Sequence, residues 1–294
     1  MSPPPSRPEA GAPDPAGVAP EVALVGALYT GSERGLAADL LAARALGFHA
    51  QPVCTQLVMA GRGKVTEVTE VPVDTIRAAF EYLAITGQTR GLKIGALATH
   101  RAVEAVMDAA ERHDGPVVLD FVASGPEGET LLTARGIDAL AERMGAADLV
   151  LFRRRDAELV TGGEIRSLDD AQVAAQRAVK RGARAVLVRC GALPARFFDA
   201  EDPGADGARA GALVADLYYD GQDFALFEAP RVPTGAPTEG AASALGVAVL
   251  AGLVAGRGAE EALQAAKRYV TEAVRRGSQA NNVHRLDFTW ERRL

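Results

Sequence analysis

The chain has 294 residues, is 48% hydrophobic and carries a formal net charge of −6, which is enough length for one large α/β domain with a well-buried core. The mild acidity argues against nucleic-acid binding, because the longest basic run, Arg153-Arg154-Arg155, is too short to form a stripe. Cys54 and Cys190 stand far apart without C-x-x-C spacing, so neither a disulfide framework nor a zinc site is implied, and the cytoplasm is the expected compartment.

Residues 1–20, rich in Pro, Ala and Gly, read as a disordered tail without the apolar stretch of a signal peptide, and residues 21–294 as one domain. No segment is long and charge-free enough to span a bilayer, so no membrane role is expected. From Glu21 onward, β-branched runs alternate with helical patterns, the signature of βαβ units around a mainly parallel sheet with helices on both faces. Val22 to Gly26 is a buried strand, and Leu36, Leu40 and Ala43 recur at helical spacing before Gly47 stops that helix. A second helix is predicted from Asp74 to Ile85. Leu92 to Leu97, Pro116 to Asp120, Asp148 to Phe152 and Ala185 to Arg189 form further strands, separated by amphipathic segments of helix length. Ala212 to Tyr219 and Phe224 to Phe227 flank Asp220-Gly221, a strong hairpin signal, and two closing helices follow, Gly240 to Ala255 and Ala259 to Arg276. Ligands of such sheets bind beyond the carboxyl ends of the strands, so Gly26, Asp120, Phe152 and Arg189 should look toward one cleft.

The stretch Pro237-Thr-Glu-Gly-Ala-Ala-Ser243 ahead of the apolar run Ala244 to Ala255 reads as a small-residue turn opening a buried helix. Amides at a helix N-terminus lack intrahelical partners, the dipole favours an anion there, and small side chains let one approach. A tightly packed helix start accounts for the same residues. Gly61-Arg-Gly-Lys64 lacks the remaining elements of a phosphate loop and reads as a turn. His49, His100, His113 and His284 show no ligand spacing and no triad arrangement, with His100 and His113 expected on helix surfaces.

Several stretches in order carry a resemblance. Gly35-Leu-Ala-Ala-Asp-Leu40 with Ala45-Leu-Gly47 resembles G-I-Q-A-D-L and A-L-G, Lys93-Ile-Gly-Ala-Leu97 resembles K-I-G-M-L, and Val117-Val-Leu-Asp120 resembles V-V-L-D. Asp216-Leu217 and Ala229-Pro-Arg-Val232 bracket the hairpin, and Ala266-Lys-Arg-Tyr-Val270 with Ala273 resembles A-K-x-Y-V-x-x-A-I. From about Val22 to its C-terminus the chain resembles the hydroxymethylpyrimidine and phosphomethylpyrimidine kinases of thiamine synthesis, a ribokinase-like branch that includes pyridoxal kinases. The resemblance implies the ribokinase-like fold, ATP and Mg2+, a small heterocyclic alcohol or its phosphate as substrate and, by analogy, a homodimer.

It also implies roles for individual positions. Gly240-Ala-Ala-Ser243 occupies the place of Gly-Ala-Gly-Asp or Gly-Thr-Gly-Cys, so Gly240, Ala241 and Ala242 would form the anion hole and Ser243 would stand at the catalytic base. Arg189-Cys-Gly-Ala192 replaces K-G-G-H, placing Arg189 and Gly191, with Thr238, near the nucleotide. N-x-x-E, which organises magnesium and water, becomes Arg153-Arg-Arg-Asp156, leaving Asp156 and Asp120 as metal or water partners. In the first loop, Gly26-Ala-Leu-Tyr-Thr-Gly-Ser-Glu-Arg-Gly35 replaces G-T-D-P-S-G-G-A-G, so Tyr29 and Arg34 would border the substrate, and Ala60 stands at the glutamine that meets the pyrimidine edge. An unmatched buried polar group costs about 1–3 kcal/mol, so these changes point to a different ligand. Arg153 would repel a metal yet could neutralise phosphate. Two readings of different class follow: a phosphomethylpyrimidine or pyridoxal-type kinase, and a catalytically impaired descendant that keeps the fold to bind a ligand or partner.

Overall fold

The computed structural model describes residues 19–61, 64–192 and 213–293. The expected disordered tail lies almost wholly outside them, as do Ala212 and the tip of the Gly61 to Lys64 turn.

The buried runs become the strands of a mainly parallel sheet. β1 (Glu21–Thr30), β4 (Thr89–Ile94), β5 (Val117–Phe121), β6 (Leu149–Arg153) and β7 (Val186–Ala192) lie side by side in parallel. β2 (His49–Gly61) pairs parallel to the other side of β1, and the described residues give the order β3-β2-β1-β4-β5-β6-β7-β8-β9. Chain direction across the sheet therefore reverses between β1 and β4, the position at which such sheets bind ligands. The hairpin expected at Asp220-Gly221 joins β8 (Leu213–Tyr219) to β9 (Phe224–Pro230), with Tyr219 opposite Phe224.

One pair of strands is missing from the sequence reading. β2 and β3 (Lys64–Glu70) form an antiparallel ribbon, with Gly61 opposite Lys64. β3 is an edge strand with little buried surface, so it lacks the apolar run that marks the central strands.

The sheet separates two cores. On one face it packs against α2 (Val73–Thr86), α3 (His100–Glu111), α4 (Ala134–Glu142), α5 (Arg154–Thr161) and α6 (Leu168–Lys180). On the other it packs against α1 (Leu36–Ala45), α7 (Ala241–Val254) and α8 (Ala259–Arg275). Every residue of α7 from Ser243 to Leu250 is buried, which is why the helix is apolar on all sides. A Cβ on Gly252 would come within 2.7 Å of the Ala262 Cβ, so this glycine sets how closely α7 and α8 approach.

Period-two alternation has a functional result. Leu92 and Ile94, Leu119 and Phe121, Val150 and Phe152, Val186 and Val188, and Ala215 and Leu217 all enter the first core. The residues between or after them therefore face α1, α7 and α8: Lys93, Asp120, Arg153, Arg189 and Asp216. Five neighbouring strands thus place a charged residue on the same face.

Lys93 is the deepest of these, and its Nζ donates to Asp39 Oδ2 of α1 at 2.9 Å with both side chains almost wholly buried. Breaking such a pair strands a charge at about 3–5 kcal/mol, whereas replacing both partners with apolar residues is often neutral. Asp39→Ala or Lys93→Met is expected to lower stability by about that amount, and Asp39→Leu with Lys93→Met together by less than either alone. Urea unfolding midpoints check this.

Candidate nucleotide and phosphate site

Gly240 precedes α7 in the left-handed conformation, φ 80°, and a Cβ there would meet the Glu33 carbonyl oxygen at 2.6 Å. The position accepts only glycine for both reasons. The first helical bond runs from the Ala244 amide to the Gly240 carbonyl at 2.9 Å, so the Ala241, Ala242 and Ser243 amides have no intrahelical acceptor. The approach to this turn is tied down from two sides. Thr238 forms a β-bridge with His284, whose carbonyl accepts from the Glu239 amide at 3.2 Å. The buried Glu239 carboxylate accepts from Ser32 Oγ at 2.8 Å and pairs with Arg34 at 3.0 Å, joining the loop after β1 to the start of α7.

The turn is open. A cavity of about 370 Å³ lies before it, lined by Thr238, Ala241 and Ala242 and by the charged side chains Arg189, Asp216, Arg231 and Lys267. Three of its four charged lining residues are held in ion pairs. Arg189 donates to Asp120 Oδ1 at 2.9 Å, and Lys267 of α8 donates to Asp216 Oδ2 at 2.5 Å. Outside the cavity lining, on the strand beside Arg189, Arg153 donates through Nε to Asp156 Oδ2 at 2.5 Å, through Nη2 to Asp156 Oδ1 at 3.0 Å and to the Ser124 carbonyl at 2.7 Å. Burial works against the Arg153 charge, but the hydrogen bonds and charge of Asp156 together with the charges of Asp120 and Tyr29 outweigh it and hold the guanidinium more firmly protonated than usual. The Arg189 Nε is buried with no hydrogen-bond partner.

Ser243 is buried in the first turn of α7 and borders the Asp39 carboxylate, which it helps to keep charged. Burial pushes the Asp39 carboxyl up and Lys93 opposes it, while Oδ1 lacks a partner at full hydrogen-bond geometry.

Comparison with known proteins settles the family. Residues 30–286 match the sequence profile of the phosphomethylpyrimidine kinases. The chain belongs to this family. It is 28% identical over 243 residues to a hydroxymethylpyrimidine/phosphomethylpyrimidine kinase of Aquifex aeolicus, covering 82% of this chain and 89% of that one. It is 29% identical over 267 residues to the protein of the same description from Streptomyces coelicolor, covering 90% and 93%. The fold is also that of the Staphylococcus aureus pyridoxal kinase solved with AMP-PCP and pyridoxal, with a TM-score of 0.79 at 23% identity over 94% of this chain and 96% of that one.

Against this family's pattern, the structure brings together some of the expected residues and separates others. Arg189, Thr238, Ala241 and Ala242 line one cavity, with Gly240 and Ser243 completing the turn beside it. Gly191 does not line it; it lies at an exposed irregularity of β7 with φ 73°. Tyr29, Arg34 and Ala60 do not line it either. Arg34 is committed to Glu239, and Ala60 sits in the β2–β3 ribbon opposite Val65. Tyr29 packs its ring over Gly35, and burial pushes its hydroxyl up to about 12, with Arg34 and Arg153 opposing.

Asp156 and Asp120 are both engaged by arginines. Both Asp156 oxygens are taken by Arg153, with the Ala123 amide also donating to Oδ1 at 3.3 Å, and Asp120 is paired with Arg189. Among the described residues no group of three or more His, Cys, Asp and Glu side chains could hold a metal. These residues do not fit the magnesium that the family resemblance implies. Sequence reading also missed the roles of Asp39, Lys93, Asp216 and Lys267, although all four fall inside the stretches that carry the resemblance.

Gly240→Ala is expected to cost more stability than Gly87→Ala, because φ is positive at both but a Cβ meets nothing within 4 Å at Gly87. The shared left-handed penalty is about 1–2 kcal/mol, and the Glu33 clash adds to it only at Gly240. Denaturation midpoints of the two variants give the comparison.

Proposed function

We propose that the chain binds ATP in the cavity before α7 and transfers its terminal phosphoryl group to the hydroxymethyl group, or its phosphate, of a small pyrimidine. The observation that carries this is the opening of the cavity onto the unpartnered amides of Ala241 and Ala242, with Arg189 and Lys267 in its wall. Phosphoryl transfer needs two oxygens held in line and spreading negative charge stabilised, and fixed amides and cations supply both without reorganising. The amides of Ala241 to Ser243 would hold the phosphate nearest the acceptor, and Arg189 and Lys267 the tail behind it.

The acceptor's proton has a route through this chain's own residues. As the substrate oxygen bonds to phosphorus and the bond to the departing ADP oxygen breaks, its proton passes to Ser243 Oγ while the Ser243 proton passes to the Asp39 carboxylate. Serine alone has too high a pKa to serve as a base, whereas a serine against a buried carboxylate acts as a relay. The raised Asp39 carboxyl suits a proton acceptor, and Lys93 steadies whichever charge remains.

A second reading is favoured by one observation: the carboxylates at the metal positions are neutralised by arginines, as in a member that retains ligand binding without turnover. Incubation of the purified protein with ATP and hydroxymethylpyrimidine or its phosphate, with and without magnesium, separates the two. The kinase reading expects chromatographically resolved phosphorylated product, a kcat lowered about 10²–10⁴-fold by Ser243→Ala, and a higher rate from Ala242→Gly with Ser243→Asp. Binding of a non-hydrolysable ATP analogue with no product above a Gly240→Asp background would leave the binding reading in its place.

A further inference from the structure

Arg153 and Arg189 are register partners on the adjacent strands β6 and β7, and Arg189 is in turn opposite Asp216 on β8. Two like charges side by side on one sheet face repel, and burial adds a desolvation cost, so the pair persists only where anions compensate. Asp156 and Asp120 provide that compensation, Asp156 giving both oxygens to Arg153 and Asp120 giving Oδ1 to Arg189. A divalent cation placed here would have to displace a guanidinium from a two-point contact and then sit beside two permanent cations. A phosphate meets the Asp216 carboxylate in the wall but also finds donors there. The buried Arg189 Nε lacks a partner, Arg189 and Lys267 line the cavity with Asp216, and Ala241 and Ala242, whose amides have no intrahelical acceptor, line the same space.

We infer that this chain holds the phosphate tail of a nucleotide without a divalent cation, the guanidinium groups of Arg153 and Arg189 neutralising charge that a metal would otherwise carry. The inference rests on the nucleotide reading above and adds to it the ionic form of the ligand. The ligand class is a metal-free nucleoside di- or triphosphate, and Arg153 is a binding residue for its phosphates. Asp156 and Asp120 act through the arginines as positioning residues: each fixes a guanidinium that would otherwise swing freely at a strand end.

Isothermal titration of the full chain with ADP and with a non-hydrolysable ATP analogue, in EDTA and in excess magnesium, tests this directly. Affinities within about threefold of each other in the two buffers are expected, since no metal contributes to the site. Arg153→Asn should weaken binding in EDTA about tenfold, the value of one lost charge-assisted hydrogen bond, and should make binding improve on addition of magnesium because Asp156 is released. If Arg153→Asn fails to fold, Arg153→Lys keeps the charge beside Asp156 while losing the two-point contact, and a smaller loss in EDTA is expected. Wild-type binding that strengthens tenfold or more with magnesium would overturn the inference and leave the nucleotide reading standing, as would an Arg153 variant that binds like wild type in EDTA. An absence of binding in both buffers would overturn the two together. Inorganic triphosphate as a further titrant tells whether the tail alone is recognised; a site that takes the nucleotide but shows no response to triphosphate would overturn the assignment of these arginines to the phosphates.

Discussion

Charge cancellation along one face of the sheet is the constraint on which the rest of this molecule depends. Lys93, Asp120, Arg153, Arg189 and Asp216 come from five consecutive strands of the sheet, and each would be costly to bury alone. The fold answers with partners drawn from the strands and the covering helices: Asp39 from α1, Asp156 from α5 and Lys267 from α8. The result is a polar band between two apolar cores, close to the start of α7. Structure and recognition share these groups, so a substitution that improves packing in the band would also change the charge presented to a ligand.

The band explains why the departures from the family pattern form a set. An arginine at position 153 cannot stand beside Asp156 without claiming its oxygens, and once it does, the carboxylate is lost to a metal. Arg189 takes one oxygen of Asp120 across the intervening strand. Ser243 would be a weak group in isolation, but it borders a buried carboxylate that an ammonium already supports. Gly240, by contrast, is fixed by backbone geometry alone, since its conformation and its closeness to Glu33 exclude a side chain whatever the ligand.

Much of the architecture could be read from the chain because its central strands are buried on both faces and appear as apolar runs, as in Val117 to Leu119 and Val186 to Val188. The helix after Gly240 was legible for the same reason. The β2–β3 ribbon was not, because it ends at the sheet edge, where exposed Glu67, Thr69 and Glu70 interrupt any apolar pattern. At the site, the turn before α7 and Arg189 could be placed from motif position, whereas the pairings could not. Asp120 and Arg189 are 69 residues apart and meet only because the sheet order sets β5 and β7 on either side of β6. A motif reports which residue stands at a position and says nothing of which neighbour has claimed its oxygens. Asp156 therefore looked like a metal partner until its contacts with Arg153 were seen.

The central claim is that the α7 amides and the paired arginines together form a phosphate cradle. A crystal structure of the protein grown with a non-hydrolysable ATP analogue measures it most directly. The account predicts phosphate oxygens within hydrogen-bond distance of the Ala241 and Ala242 amides and of the Arg189 guanidinium, with Asp156 still bound to Arg153. Phosphates seated elsewhere, or a metal coordinated by Asp156 with Arg153 turned away, would contradict it.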